Sequence, residues 1–90
     1  EEAHANDLKV AVAYPNPGGD VMNIRTTLRD CNLTVYDIQG RIVHQQEITD
    51  DITSIDASKW INGTYVWKLG MGNEKLGMKE VESGKWIKGN

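Results

Sequence analysis

Apolar and polar residues alternate along the chain in short runs, at residues 8–14, 22–24, 33–35 and 42–48. Because successive side chains of a β-strand point to opposite faces of a sheet, this alternation predicts strands with one buried face. Groups of Gly, Pro, Asn and Asp separate the runs at intervals of about 8 to 12 residues, which is typical of a sandwich. The pattern therefore predicts an all-β fold, an antiparallel β-sandwich of about seven strands.

A hairpin over residues 33–48 is the best-defined unit of this pattern. Its two alternating arms meet at Ile38-Gln39-Gly40. Gly40 can adopt the left-handed backbone conformation that closes a hairpin with a bulge, which most other residues adopt only at a cost in free energy.

The segment before the next strand has a different pattern. Residues 56–61 begin with Asp, a good helix N-cap, and are followed by Asn62-Gly63, which ends a helix readily. One short helical turn is predicted there. It leads into a strand over residues 64–69, whose inner face is predicted to carry three large side chains: Tyr65, Trp67 and Leu69.

Two prolines follow the first strand, in Tyr14-Pro15-Asn16-Pro17. A proline has no N–H group and pushes the preceding residue towards extended geometry, so this stretch cannot pair as a central strand. It is predicted to end the first strand and to carry the chain across the sandwich to Val21.

The length of 90 residues supplies one small domain with a single thin core. We interpret residues 1–7 as the end of a linker and residues 8–90 as the domain. Near the other end, residues 75–81 and 85–88 are predicted to supply one or two closing strands, separated by Gly84.

The net charge of −3 is unevenly distributed. Residues 1–67 carry five basic and ten acidic side chains, whereas residues 68–90 carry five basic and three acidic ones. A net-acidic chain does not create the positive field that captures phosphate backbones, so no nucleic acid partner is expected. The basic C-terminal quarter suits an acidic protein surface.

No arrangement of reactive side chains predicts catalysis. An enzyme needs a nucleophile, a base or a metal in a protected site, and the candidates are scattered, with Cys31 beside a turn, His4 in the linker and His44 in the hairpin. Asp50 and Asp51 are interpreted as solvated loop carboxylates, because the spacing of a calcium loop is missing. The sequence therefore predicts no enzyme, no catalytic residue, no metal site and no cofactor.

The three tryptophans allow two interpretations. If two of Trp60, Trp67 and Trp86 lay exposed on one face, they would stack against sugar rings and make a carbohydrate-binding or adhesive module. In a chain without phenylalanine, however, tryptophan must supply much of the bulk of the core, and each buries up to about 250 Å². Core packing is expected for Trp60 and Trp67, and both interpretations stay open for Trp86.

Several stretches, in this order and spacing, resemble one family. They are Tyr14-Pro-Asn-Pro17, residues 20–25, the hairpin residues 33–43, Asn62-Gly-Thr-Tyr65 and the lysine-bearing residues 84–88. Together they closely resemble the type A C-terminal sorting domain of the type IX (Por) secretion system of Gram-negative bacteria. The resemblance covers nearly the whole chain.

This resemblance implies an immunoglobulin-like β-sandwich at the end of a larger secreted protein. Such a domain directs its cargo, an upstream domain of the same chain, through an outer-membrane secretion translocon, and a sortase-like protease then removes it. The expected route runs through the periplasm and the outer membrane to the cell surface or the medium. The mainly structural family motifs correspond to Tyr14, Pro15, Asn16, Pro17, Gly40, Gly63 and Tyr65.

The basic end of the chain is the expected partner-recognition segment, at Lys85, Trp86, Ile87 and Lys88. The resemblance places the basic C-terminal signal of the family at Lys85 and Lys88. A terminal strand edge also lets a partner bind by β-augmentation, in addition to charge. An open edge strand would permit a weak dimer in the same way.

Overall fold

The structure of the protein, a computed structural model, describes residues 10–73 and 77–89. Residues 1–7, predicted to be the end of a linker, lie outside the described residues. Within the described part the chain forms seven strands: β1 (Ala11–Tyr14), β2 (Val21–Thr26), β3 (Cys31–Tyr36), β4 (Ile42–Glu47), β5 (Ile52–Asp56), β6 (Gly63–Asn73) and β7 (Gly77–Lys88). Over these same residues there is no helix, and so none long and apolar enough to cross a membrane.

The strands form two antiparallel sheets. One has three strands in the order β1-β2-β5, and the other has four in the order β4-β3-β6-β7. The chain changes sheet three times, after β2, after β4 and after β5. The predicted all-β sandwich of about seven strands is confirmed, while its immunoglobulin-like character stays a prediction.

Side chains from one face of each sheet form a common core. In β2, Met22 and Ile24 are fully buried, while Val21 and Arg25 are exposed. The same alternation in β6 buries the three side chains predicted for its inner face: Tyr65, Trp67 and Leu69. Each large apolar side chain buried in this way contributes roughly 1.5–3 kcal/mol to the free energy of folding, and this burial holds the two sheets together.

The predicted hairpin is confirmed as the β3–β4 pair. Its register shifts between Val35 and Tyr36, where the pairing contains a bulge. Gly40 closes the turn with a φ of 86°, in the left-handed region that favours glycine. The bulge and the turn together determine which face of the edge strand β4 meets the core.

The proline stretch ends the first strand, as predicted, but the chain does not cross the sandwich to Val21. β1 stops at Tyr14, and the two X-Pro peptide bonds that follow are both cis. β2 then pairs beside β1 in the same sheet. The loop between them, residues 15–20, contacts the other sheet at β7, because its backbone and Asn16 hydrogen-bond there.

The segment between β5 and β6 contains one hydrogen-bonded turn instead of the predicted helical turn near residues 56–61. The N–H of Trp60 donates to the carbonyl oxygen of Ala57. Asp56 accepts from the N–H of Ser58, as an N-cap residue would, but it is also the last residue of β5 and pairs with Val21. Since strand pairing holds one side of the turn extended, the turn does not continue into a helix.

The end of the chain forms one long strand, and the predicted separation at Gly84 is wrong. Gly84 lies inside β7 and pairs with Trp67. A Cβ atom on Gly84 would lie 2.7 Å from Cζ2 of Trp67. Gly84 therefore allows the Trp67 indole to lie directly against the backbone of β7. A glycine inside a strand marks either an interruption or, as here, a place where another group approaches the backbone closely.

Candidate functional site

Four segments that are distant in sequence meet at one end of the sandwich. They are the loop 15–20, the hairpin turn 37–41, the turn segment 57–62 and the strand end 85–89. Strand register brings them together, because Val21 pairs with Asp56 and Gly63 pairs with Lys88. β1 begins at Ala11, at the opposite end of its sheet. We call the end formed by these four segments the motif end.

Residues 15–18 lie along residues 85–89, and we call this contact the junction. The side-chain amide of Asn16 donates to the carbonyl oxygen of Lys85 at 2.9 Å, and its Oδ1 accepts from the N–H of Ile87 at 3.0 Å. An amide side chain carries both a donor and an acceptor. Asn16 can therefore pair with the backbone of a strand edge, whereas the prolines on either side of it have no N–H to donate.

Gly18 continues this pairing through its backbone. Its N–H donates to the carbonyl oxygen of Ile87 at 2.8 Å, and its own carbonyl accepts from the N–H of Gly89 at 2.8 Å. A Cβ on Gly18 would lie 2.6 Å from Cζ2 of Trp86, so a larger residue would force the loop away. The C-terminal edge of β7 is thus already bonded within the domain, and a partner strand can add there only by displacing the loop.

The Trp86 side chain fills the space beneath the junction. It is fully buried, and its indole Nε1 donates to the carbonyl oxygen of Pro15 at 2.6 Å. Its ring lies edge-on to Trp60 and tilted to Tyr65, with centroids 6.1 and 6.3 Å away. Such geometries suit the aromatic quadrupole. In the folded domain Trp86 therefore contacts the core and the proline loop.

Lys88 also points inward, although it was expected to be part of a recognition signal. Its side chain is only 5 % exposed. The Nζ atom lies 3.5 Å from Oδ1 of Asn62 and 3.8 Å from Oδ1 of Asp20. A lysine covers apolar surface with its stem and keeps its charge near polar partners. Lys88 therefore connects the strand end with both the loop 15–20 and the turn segment 57–62.

Lys85 and Ile87 are the members of the predicted recognition segment that face outward. Both are exposed, Ile87 by 46 %. They pair with Val66 and Thr64 on the outer face of the four-stranded sheet. A partner that contacts the folded C-terminal segment through side chains therefore meets Lys85 and Ile87.

Gly63 and Tyr65 shape the start of β6. Gly63 has a φ of 153°, a backbone conformation that residues with a side chain rarely adopt. The Tyr65 hydroxyl donates to the carbonyl oxygen of Ile61, four residues upstream, in an arrangement similar to the tyrosine corner of other β-sandwiches. Burial, reinforced by the charge of Asp37, raises the pKa of Tyr65. A tyrosine hydroxyl is already protonated at neutral pH, and the raised pKa extends its role as donor towards more alkaline pH.

Asp37 organises the hairpin turn of the motif end. Its Oδ1 accepts from the backbone N–H groups of Gln39 and Arg41, both at 2.9 Å, and its Oδ2 accepts from Arg41 Nε at 2.9 Å. Hydrogen bonding from the Arg41 backbone, with further help from the Arg41 side chain and Gln39, lowers the pKa of Asp37. The turn is therefore held by a charged acceptor at neutral pH.

The residues weighed for catalysis are not assembled into a reactive site. Cys31 is fully buried, and burial, followed by the charge of Asp30, raises the pKa of its thiol. His44 is half-buried and its Nε2 contacts Oε1 of Gln46 at 2.7 Å. In residues 10–73 and 77–89, no group of three or more His, Cys, Asp or Glu side chains is placed to hold a metal ion. His4 lies outside this part of the chain.

The tryptophans do not form an exposed platform. Trp86 is fully buried, Trp67 is 4 % exposed, and Trp60 is partly buried against the core. A carbohydrate-binding face needs at least two of the three side chains exposed together. The structure does not meet that requirement.

The sequence motifs do not predict the contacts that Asn16, Asp20 and Asp37 make. The role of Asp37 has a local signal, since an Asp that accepts from the backbone two residues on is a common turn former. The contacts of Asn16 span 69 and 71 residues, and no local pattern indicates them.

Comparison with known proteins identifies a family. A family model described as "Secretion system C-terminal sorting domain" matches residues 12–81. The match includes the proline stretch, the hairpin and Gly63 with Tyr65, and it ends before the strand end 85–89. No curated protein and no solved structure matches the chain.

Proposed function

Because the chain belongs to the family of secretion system C-terminal sorting domains, we propose that its folded motif end is the part recognised by the type IX outer-membrane translocon. A domain of this family is a C-terminal sorting signal of the type IX system. It implies a cargo protein, the secretion machinery, and export to the cell surface or secretion. The family is one of sorting signals and is not known as an enzyme.

The junction is the observation that carries this proposal. Since Asn16 bonds Lys85 and Ile87, and Trp86 bonds Pro15, the basic end of the chain belongs to a folded surface. Lys85 and Ile87 then have fixed positions on it. A receptor that contacts this surface favours the folded domain, because in an unfolded chain Lys85 and Ile87 have no fixed orientation and ordering them on binding costs conformational entropy.

The start of β1 and the motif end lie at opposite ends of the domain, which supports attachment of the cargo away from the recognised surface. β1 begins at Ala11, at the end of its sheet opposite the motif end. A cargo domain that precedes β1 would therefore leave the motif end accessible to the translocon.

Removal of the domain by a sortase-like protease, before residue 8, and transit through the periplasm complete the proposed route. An edge strand such as β4 or β5 would also support a weak dimer.

Fusion of residues 1–90 to an unrelated reporter tests the function in a host that has a type IX system. Export of the reporter is expected, and Lys85→Glu together with Ile87→Ser should reduce it. Lys79→Glu, an exposed lysine on the same strand far from the motif end, is the matched control and should export normally. The proposal fails if wild-type fusions stay in the periplasm while the substrates of the host are exported.

A further inference from the structure

We propose that a groove between Ile38 and Ile61 at the motif end binds an apolar protein segment that carries a carboxylate, on a component of the secretion machinery. This inference rests on the proposed function and extends it from the C-terminal strand to two loops. The groove has a volume of about 190 Å³ and is lined by the hairpin turn and by residues 61–65. Small-molecule pockets begin at about 300 Å³, so its size suits a protein side chain.

Two isoleucines border this groove and point to solvent. Ile61 is 82 % exposed and Ile38 is 75 % exposed, which are the two highest values among the exposed large apolar residues of the described chain. Single exposed apolar residues need no explanation, but two on one groove form a surface of the kind that partner proteins cover. Because both side chains are so exposed, packing within the domain does not require them.

Hydrogen bonds within the domain hold both loops that carry these isoleucines. Ile38 lies within the turn that Asp37 closes, and the N–H of Gly40 also donates to the carbonyl oxygen of Asp37. Ile61 is held through its carbonyl oxygen, which accepts from the Tyr65 hydroxyl. A preordered apolar contact loses little conformational entropy when a partner binds, which is characteristic of binding hot spots.

The charges around the groove favour an anionic partner. Each acid of the motif end has a cation beside it: Asp20 lies near Lys88, and Asp37 pairs with Arg41. The four segments carry four basic and two acidic side chains, so the motif end is net positive, and Lys59 and Lys85 are the exposed bases outside these two pairs. The Arg41 side chain is 73 % exposed, and its guanidinium has donors beyond the Nε–H bonded to Asp37, so it can also bind a carboxylate of the partner.

The groove is continuous with the surface of Lys85 and Ile87. Thr64 lines the groove and pairs with Ile87 on the neighbouring strand. One partner can therefore contact the hairpin turn, the start of β6 and the end of β7 together. Such a composite surface would explain why the chain presents exposed isoleucines on two separate loops and a third on β7.

The test uses the reporter fusion with residues 1–90 and two matched pairs of variants. Ile38→Ser with Ile61→Ser should lower export roughly tenfold or more, whereas Ile52→Ser, on the outer face of the other sheet, should not. Arg41→Gln should lower export several-fold, whereas Arg29→Gln, which removes a comparable Arg–Asp pair at the opposite end, should not. Circular dichroism and thermal unfolding of each domain check that it folds.

A second measurement decides the outcome if a serine variant fails to fold. A photo-reactive amino acid at position 61 or position 52 of the fusion is activated during export, and the cross-linked peptides are sequenced. Cross-links from position 61, to a translocon segment with apolar residues beside Asp or Glu, support the groove. Normal export of the folded double variant, or cross-links from position 52 alone, overturns it and leaves the proposed function standing. Failure of the wild-type fusion to be exported overturns the proposed function itself.

Discussion

The indole N–H of Trp86 donates to the carbonyl oxygen of Pro15 at 2.6 Å, across 71 positions of the sequence. This bond lies under a loop that also pairs with β7 through Asn16 and Gly18. The proline stretch and the basic C-terminal end, which are separate motifs in the sequence, thus form one structural unit. Changes in either are expected to weaken both.

Two substitutions of Trp86 remove its contacts in steps. Trp86→Phe removes the donor and one of the two fused rings, and should lower the free energy of unfolding by roughly 1–3 kcal/mol. Trp86→Ala also leaves a cavity in the core and should cost about 3–5 kcal/mol. Urea denaturation monitored by circular dichroism measures both. The control is the same substitution at the half-buried Trp60. If Trp86→Phe were as stable as the wild type while Trp60→Phe was less stable, the bond to Pro15 would have no part in stability.

Asn16 is expected to protect particular amide protons of β7. Asn16→Ala removes both side-chain bonds and should cost about 1 kcal/mol. It should also speed hydrogen exchange at the N–H of Ile87. Asn16→Asp keeps an acceptor for that N–H but loses the donor to Lys85, so Ile87 should keep partial protection.

Asn23→Ala is the control for this experiment. Asn23 lies on the outer face of the three-stranded sheet, where its Oδ1 accepts from the hydroxyl of Ser54 on β5. Exchange at Ile87 should not change in this variant. Equal exchange rates at Ile87 in wild type and Asn16→Ala would show that Asn16 does not close the strand edge.

Two adjacent glycines provide a matched test of packing at the junction. A Cβ on Gly18 meets the Trp86 ring at 2.6 Å and the Pro15 carbonyl oxygen at 2.7 Å, while a Cβ on Gly19 meets nothing within 4 Å. Gly18→Ala should therefore destabilise the domain by about 1–3 kcal/mol through overpacking. Gly19→Ala should stay within about 0.5 kcal/mol of the wild type. Similar thermal midpoints for the two variants would contradict the observed packing.

The turn held by Asp37 predicts a dependence of stability on pH. Its pKa is lowered in the folded state, so its contribution is present above the unfolded value of about 3.9. That contribution is lost as the pH falls through the folded pKa. Asp37→Asn should be less stable than the wild type at pH 7 and should lose less stability on acidification.

Urea midpoints from about pH 7 to about pH 2 measure this difference. Asp50→Asn, which changes an exposed loop aspartate outside the motif end, is the control and should follow the wild-type profile more closely. Parallel profiles for wild type and Asp37→Asn would mean that the turn does not depend on the charge of Asp37.

The strands and the inner faces could be predicted from the sequence because they depend on neighbouring residues. Alternation along β6 placed Tyr65, Trp67 and Leu69 on one face, and Gly40 indicated the hairpin turn. The segment 56–61 has the residues of a helical turn, but pairing of Asp56 with Val21 holds it extended. Gly84 resembles a strand break, yet it accommodates a tryptophan from the adjacent strand. In both cases a residue distant in sequence decided the outcome.

The site shows the same division between local and distant information. The sequence by itself determined that the chain is a β-sandwich of the sorting family. The alternation of apolar residues, the turn residues and the order of the motifs are all properties of the linear sequence. Only the tertiary structure decided that Asn16 closes the edge of β7, that Trp86 and Lys88 point inward, and that Lys85, Ile87, Ile38 and Ile61 share one end. Hydrogen bonds and burial between strands depend on which residues are close in space. The alternation of residues 85–88 alone does not show whether Trp86 and Lys88 or Lys85 and Ile87 face the core.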